Sequence, residues 1–387
     1  MDRTIYLDHA ATTGVRPEAL EEMLPYFSEK MGNPSSIYFL GQETKKAVDL
    51  ARERVAKALG AEPSEIFFTA GGSEADNLAI KGVAMANSNK GKHIITSKIE
   101  HPAVLNTCKY LSKMGFEISY IDVDEDGKIK LDDLKSAIRE DTILISVMFA
   151  NNEIGTIQPI KEIGEIAKEK NIYFHTDAVQ AVGNVKIDVK EMNITMLSLS
   201  AHKFYGPKGT GVLYIKKGTK IDSLIHGGAQ EGKKRAGTEN VAGIVGLGKA
   251  IELADQDLDR YNAKLLKLRE RLIEGVMGSI PHVRLNGHRN DRLPGNVNFS
   301  FSFIEGESLL LMLNLKGICG SSGSACSSGS LDPSHVLMAI GLDHATAHGS
   351  LRLTIGEENT EEDIDYTIEA LKEVVEKLRI MSPLKPE

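Results

Sequence analysis

Lys203 stands at the end of the apolar run Met196–Ser200, in Ser200-Ala201-His202-Lys203. A lysine held at the end of a buried strand has an amine that burial and neighbouring cations make nucleophilic. The plainer alternative is a surface lysine in the Gly206-Pro207 loop. Ser200 and His202 offer donors to a phosphate. Upstream, Thr69-Ala70-Gly71-Gly72-Ser73-Glu74-Ala75-Asp76-Asn77 turns from a strand into a helix. Free backbone N–H groups at such a helix start favour an anion, and glycine lets the backbone come close. Gly72 and Ser73 are the candidates there, with Ser73 as a simple helix cap the alternative. In His175-Thr176-Asp177-Ala178-Val179-Gln180, Asp177 ends another apolar run. A carboxylate there would keep a heteroaromatic nitrogen protonated, or would cap the next helix.

Other chemistry-bearing positions are more isolated. His101 follows the run His93–Ser97 and would stack on a planar ring, relay protons or serve as a structural hydrogen-bonder. Arg352, in Gly349-Ser350-Leu351-Arg352-Leu353-Thr354-Ile355, suits a bidentate carboxylate or a cross-strand ion pair. The stretch Gly320-Ser321-Ser322-Gly323-Ser324-Ala325-Cys326-Ser327-Ser328-Gly329-Ser330 contains no large side chain. Such a stretch cannot pack a core and reads as a mobile loop, about 320–330. Its cysteine is expected to be accessible and therefore reactive as a thiolate.

These residues need a frame. From about residue 66 to 216, short apolar runs alternate with helical patterns. The strands expected are Ile66–Thr69, His93–Ser97, Glu117–Ile121, Thr142–Met148, Ile172–Thr176, Met196–Ser200 and Gly211–Ile215, with helices such as Ser73–Met85 and Pro159–Lys170 between them. The pattern predicts an α/β fold with a mainly parallel seven-stranded sheet covered on both faces. Ligands of such sheets sit at the carboxyl ends of the strands. Thr44–Leu59 predicts a helix before this block, and Asp257–Val276 a long one after it. Thr360-Glu361-Glu362-Asp363 predicts a capped start to a last helix. A smaller α+β domain is expected from about residue 256, with the hinge around Ala250–Leu258.

Composition excludes several classes. The chain is 41% hydrophobic and 26% charged, with a formal net charge of -8. Nothing in that balance suggests a nucleic-acid surface. No apolar run is long enough for a membrane span, and the first residues do not read as a signal peptide. The three cysteines, Cys108, Cys319 and Cys326, are too few for a disulfide framework and fit a reducing, cytoplasmic setting. Cys108 and Cys319 are expected to be dispensable. No cysteine or histidine spacing predicts an intrinsic metal site.

Taken in order, these segments resemble the fold-type-I pyridoxal-phosphate enzymes of the class-V aminotransferase family. More closely, they resemble the group I cysteine desulfurases of the NifS and IscS type. The likeness runs nearly end to end, through Tyr6-Leu7-Asp8, Gly32-Asn33-Pro34-Ser35-Ser36, Asn151-Asn152-Glu153-Ile154-Gly155, Ser200-Ala201-His202-Lys203, Gly227 to Asn240 and Ser321 to Gly329. The serine-rich cysteine segment is its most specific part. Tyr38 stands where such chains usually carry histidine, and Gly14 where they often carry proline.

The resemblance implies pyridoxal 5'-phosphate as cofactor and L-cysteine as substrate, with alanine and a Cys326 persulfide as products. Lys203 would hold the cofactor covalently and then act as base. Asp177 would pair with the ring nitrogen, Gln180 with the phenolic oxygen, and His101 would stack on the ring. Gly72, Ser73, Ser200 and His202 would bind the phosphate. Thr238 would reach it from a second subunit, implying a homodimer. Asn152, also near the cofactor, and Arg352 would hold the substrate carboxylate. A large domain of residues 15–255 and a small one of residues 1–14 and 256–387 are implied. The sulfur acceptor is left open between an iron–sulfur scaffold protein, where Cys326 would transiently meet a nascent cluster, and tRNA thiolation or cofactor synthesis. A selenocysteine lyase or another class-V enzyme is the alternative.

Overall fold

The computed structural model describes residues 4–322 and 333–383. The segment carrying Cys326 lies outside the described residues. Among the described residues there are twelve strands: β1 Ile5–Tyr6, β2 Ile66–Thr69, β3 His93–Ser97, β4 Glu117–Ile121, β5 Thr142–Ser146, β6 Tyr173–Asp177, β7 Met196–Ser200, β8 Gly211–Ile215, β9 Val283–Leu285, β10 Asn296–Phe301, β11 Ile318–Cys319 and β12 Ser350–Thr354.

Strands β2 to β8 form one seven-stranded sheet in the order β2-β8-β7-β6-β5-β3-β4. Parallel pairing runs from β7 to β4, as the alternation of strand and helix requires. β8 is antiparallel to both β7 and β2. The expectation of a mainly parallel sheet is met, with β8 as the inverted strand. Two inversions restore the direction, so β2 runs parallel to β7. The turn after β2 therefore opens at the same sheet edge as the residues after β3, β5, β6 and β7.

Side chains alternate across this sheet. Ile66, Phe68, Leu197, Leu199, Val212 and Tyr214 pack on one face with Val48, Ile163 and Leu247 from the helices Phe39–Leu59, Ile160–Glu169 and Val241–Gln256. Phe67, Ile94, Met196, Leu213 and Ile215 pack on the other with Leu78, Val83, Val104 and Leu111 from Gly72–Ala86 and Pro102–Lys113. β2, β3, β5, β7 and β8 are buried along their whole length. Covering both faces explains why they read as continuous apolar runs.

A second core gathers around the antiparallel sheet β12-β10-β9. Phe299, Phe301, Leu351 and Leu353 meet Leu268 and Leu272 of the helix Leu258–Ser279 and Ile364 and Leu371 of Glu361–Met381. Ile5 and Leu7 join this core, because β1 pairs in parallel with β11. Thr360 caps the last helix by accepting from Asp363 N–H, and the Asp363 side chain returns the bond, as its sequence predicts. Some boundaries move. The first long helix begins at Phe39 rather than Thr44, and β6 ends on Asp177 rather than before it. Between Ala250 and Leu258 one helix ends at Gln256 and the next begins at Leu258. Among the described residues no helix is long and apolar enough to cross a membrane.

Candidate active site

The carboxyl ends of β2, β3, β5, β6 and β7 surround a cleft of about 310 Å³. Its walls include Gly72, Ser73, His101, Asn152, Asp177, Gln180, Ser200, His202, Lys203 and Arg352. Ten positions singled out from sequence thus converge on one site. Ala10, Ala11 and Asp76 also line it, and none of the three had been given a role.

Gly71 sets the turn between β2 and the following helix. Its φ of 150° is a conformation that side chains rarely adopt. A Cβ on Gly72 would lie 2.6 Å from Cγ2 of Val179, so glycine is needed for the helix start to seat against the β6 turn. No side chain caps this helix. Its first N–H groups have no intrahelical acceptor and lie beside Ser200. With His202 in the same cleft, they form a donor set suited to a phosphate. Burial and the charges of Lys203 and Lys208 push the His202 imidazole down to about 4. Its Nδ1 lies 3.1 Å from Thr12 Oγ1.

Lys203 Nζ donates to the carbonyls of Ala10, at 2.5 Å, and Ala11, at 2.7 Å. Gln180 Nε2 donates to the same Ala10 carbonyl at 3.0 Å. The chain's first residues therefore cross the mouth of the sheet and meet the lysine. Asp177 is buried, and its Oδ1 accepts from Val179 N–H at 2.9 Å. A turn rather than the expected helix follows β6; Asp177 holds that turn and lines the cleft as well. Burial raises its carboxyl above the ordinary range, opposed by the charges of His101 and Lys203 and by the Val179 N–H. A buried anion of this kind accommodates a protonated ring nitrogen.

His101 accepts from Ala103 N–H through Nδ1, at 3.1 Å, and so caps the helix Pro102–Lys113. Nδ1 is therefore unprotonated. Burial lowers the imidazole's proton affinity further, partly offset by Asp177. Arg352 is buried on β12; its Nη2 donates to Asp8 at 2.9 Å and its Nη1 to the Asn152 carbonyl at 3.0 Å. The ion-pair reading of Arg352 holds, and the residue still borders the cleft. Ser321 exchanges both backbone hydrogen bonds with Arg352, which ties the start of the cysteine-bearing segment to the site. Just beyond that segment, Ser334 donates to Glu153.

Thr238 is exposed and does not line this cleft. Cys108 is buried in the helix Pro102–Lys113, which pushes its thiol up to about 12. Cys319 is on β11 and partly buried. The donor set fits pyridoxal phosphate: an amine to hold it, an uncapped helix start with a serine and a histidine for its phosphate, and a buried carboxylate for its nitrogen.

Comparison with known proteins agrees with this geometry. Residues 5–367 match the family described as aminotransferase class-V. A protein named cysteine desulfurase IscS from Clostridium botulinum is 65% identical over 386 residues, covering 99% of this chain and 97% of that protein. A solved structure titled NifS-like protein superposes with a TM-score of 0.91 at 41% identity, over 97% of this chain and 100% of that one. Another, titled SspA in complex with cysteine, gives a TM-score of 0.82 at 39% identity, over 92% and 100%. With both its sequence and its fold accounted for over nearly their whole length, the chain belongs to the class-V aminotransferase family, among its cysteine desulfurases of the NifS and IscS type.

Proposed function

We propose that this site takes sulfur from L-cysteine and passes it to Cys326, leaving alanine. The observation that carries this is the convergence of Lys203, Asp177, His101 and the Gly72–Ser200 donor set on one cleft bordered by Arg352. The cofactor is pyridoxal 5'-phosphate, and when bound it supplies an electron sink for negative charge at the substrate Cα.

The chain's own groups do the rest. Lys203 would hold the cofactor through Nζ and would accept the substrate Cα proton at the same atom. Asp177 stays anionic and keeps the ring nitrogen protonated. Gly72, Ser73, Ser200 and His202 would hold the phosphate, Gln180 would serve the phenolic oxygen, and His101 would offer its neutral imidazole to the ring. Arg352 and Asn152 orient the substrate carboxylate. The Cys326 thiolate attacks the substrate sulfur, so an S–S bond forms as the C–S bond breaks. The carbon retains the electron pair and takes up protons to give alanine. Rigid strand ends suit the cofactor, while a serine-rich carrier segment suits delivery.

The same reading makes 15–255 the large domain and 1–14 with 256–387 the small one. The core around the antiparallel sheet, with Ile5 and Leu7 in it, is separate from the cores on the two faces of the seven-stranded sheet, which supports that division, while Ile99 and Met148 pack with Val336 and Leu337 across it. A homodimer in which Thr238 completes the neighbouring site is supported by its exposure and by the bare apolar side chains of Phe27, Met31, Ile37 and Phe39 nearer the N-terminus. The acceptor we favour is an iron–sulfur scaffold protein in the cytoplasm. The test of the whole reading is incubation with L-cysteine and a reductant: alanine and sulfide form together, and protein without a cofactor absorbance band forms neither.

A further inference from the structure

Asp76 is a buried carboxyl that this scheme leaves without a task. It sits on the helix Gly72–Ala86, 1% exposed, and lines the cleft beside Asp177. An oxygen of each aspartate and a ring nitrogen of His101 lie within 4.8 Å of one another. Two carboxylates this close and this dry cannot both ionise without strong repulsion, and one proton on either of them removes it.

The surroundings decide which carboxyl takes that proton. Asp177 has the Val179 N–H, Lys203 and His101 to favour its anion. Among the described residues, the groups that act on Asp76 include no lysine or arginine. Ser198 hydrogen-bonds to it, while Asp177 repels its anion. His175 Nε2 lies 3.6 Å from Asp76 Oδ1, but its ring is enclosed between the hydroxyls of Ser146 and Ser198, each at 2.9 Å. Burial pushes His175 down to about 3, so it brings no compensating charge. Among the described residues Asp76 Oδ1 has no hydrogen-bond partner. Burial holds the Asp76 carboxyl well above the ordinary range.

We propose that Asp76 is a positioning residue for Asp177: it is the neutral acid of the pair, so that Asp177 remains the anion facing the ring nitrogen. The proposal rests on the cofactor reading above. It makes the electron-withdrawing state of the ring a property of two side chains rather than one.

The test is infrared difference spectroscopy of the holoenzyme at neutral pH, wild type against Asp76→Asn. A carboxylic-acid carbonyl stretch present in the wild type is lost in the variant, while the pH midpoint of the cofactor's absorbance change is retained. No acid stretch, or a midpoint moved by about one unit or more, overturns the proposal. Where Asp76→Asn does not fold, wild-type protein carrying isotope-labelled aspartate serves instead. It shows an isotope-shifted acid stretch above the titration range of ordinary carboxylates, and absence of that band again overturns the proposal. Purified protein with no cofactor band would instead refute the reading of the site, so the two failures are distinct.

Discussion

Arg352 and Asp8 form an ion pair at 2.9 Å between the two ends of the chain. Asp8 follows β1, and the pair holds the guanidinium beside the cleft together with the Asn152 carbonyl. These bonds use two of the five guanidinium N–H groups, and Arg352 borders the cleft, so the pre-oriented fork keeps donors for an incoming carboxylate. Arg352→Gln should therefore raise KM for L-cysteine by about 10- to 100-fold, the equivalent of losing charged hydrogen bonds, without releasing the cofactor. Steady-state kinetics and absorbance of the purified variant check both parts.

Lys203 is asked to do two things, to hold the cofactor and to move a proton. Lys203→Arg keeps a cation near the Ala10 and Ala11 carbonyls but supplies no usable base. Turnover should fall roughly 10²- to 10⁴-fold or more. The cofactor should then be lost on gel filtration in a denaturant that wild type survives with its absorbance intact.

Glu100 is buried, and its carboxyl is pushed up to about 8 from 4.5, burial outweighing the bonds it accepts from Ser97 Oγ and Met148 N–H. Between those values the folded chain holds a proton that the unfolded chain has released. Stability from this group is therefore complete at low pH and declines as pH rises to about 8. Glu100→Gln cannot ionise, and it can present an amide where Glu100 Oε2 has no partner among the described residues. Its melting temperature relative to wild type should rise by several degrees between about pH 5 and about pH 8.5. A pH-independent difference would contradict the assignment.

Cys319 pairs with Tyr6 across β1 and β11, and its carbonyl accepts from Leu7 N–H. Its contribution here is backbone pairing, which serine preserves. Cys319→Ser should retain sulfur transfer from L-cysteine; loss of transfer with the cofactor still bound would show that a second thiol takes part.

Much of this was legible in the residues. The main strands announced themselves as apolar runs because both sheet faces are covered. Asp177 and Lys203 were legible because each ends such a run. The inverted β8 was not, since direction depends on the ten residues between Ser200 and Gly211, which hold no crossover helix. The first long helix starts ahead of the residues whose apolar spacing predicts it, because Gly41 and Gln42 dilute its apolar face. Asp76 was in plain view yet carried no local signal, because only the packing of its helix turns it toward Asp177. The Arg352–Asp8 pair joins residues 344 apart, and no spacing rule reaches that far.

The central claim is that sulfur passes from L-cysteine to Cys326. The most direct measurement is a single turnover with sulfur-labelled L-cysteine in the absence of reductant, followed by peptide mass spectrometry. The account predicts one extra sulfur on the peptide containing Cys326, in step with alanine, and neither in Cys326→Ala. Alanine formed at the wild-type rate by Cys326→Ala, or label on Cys108 or Cys319 instead, would contradict it.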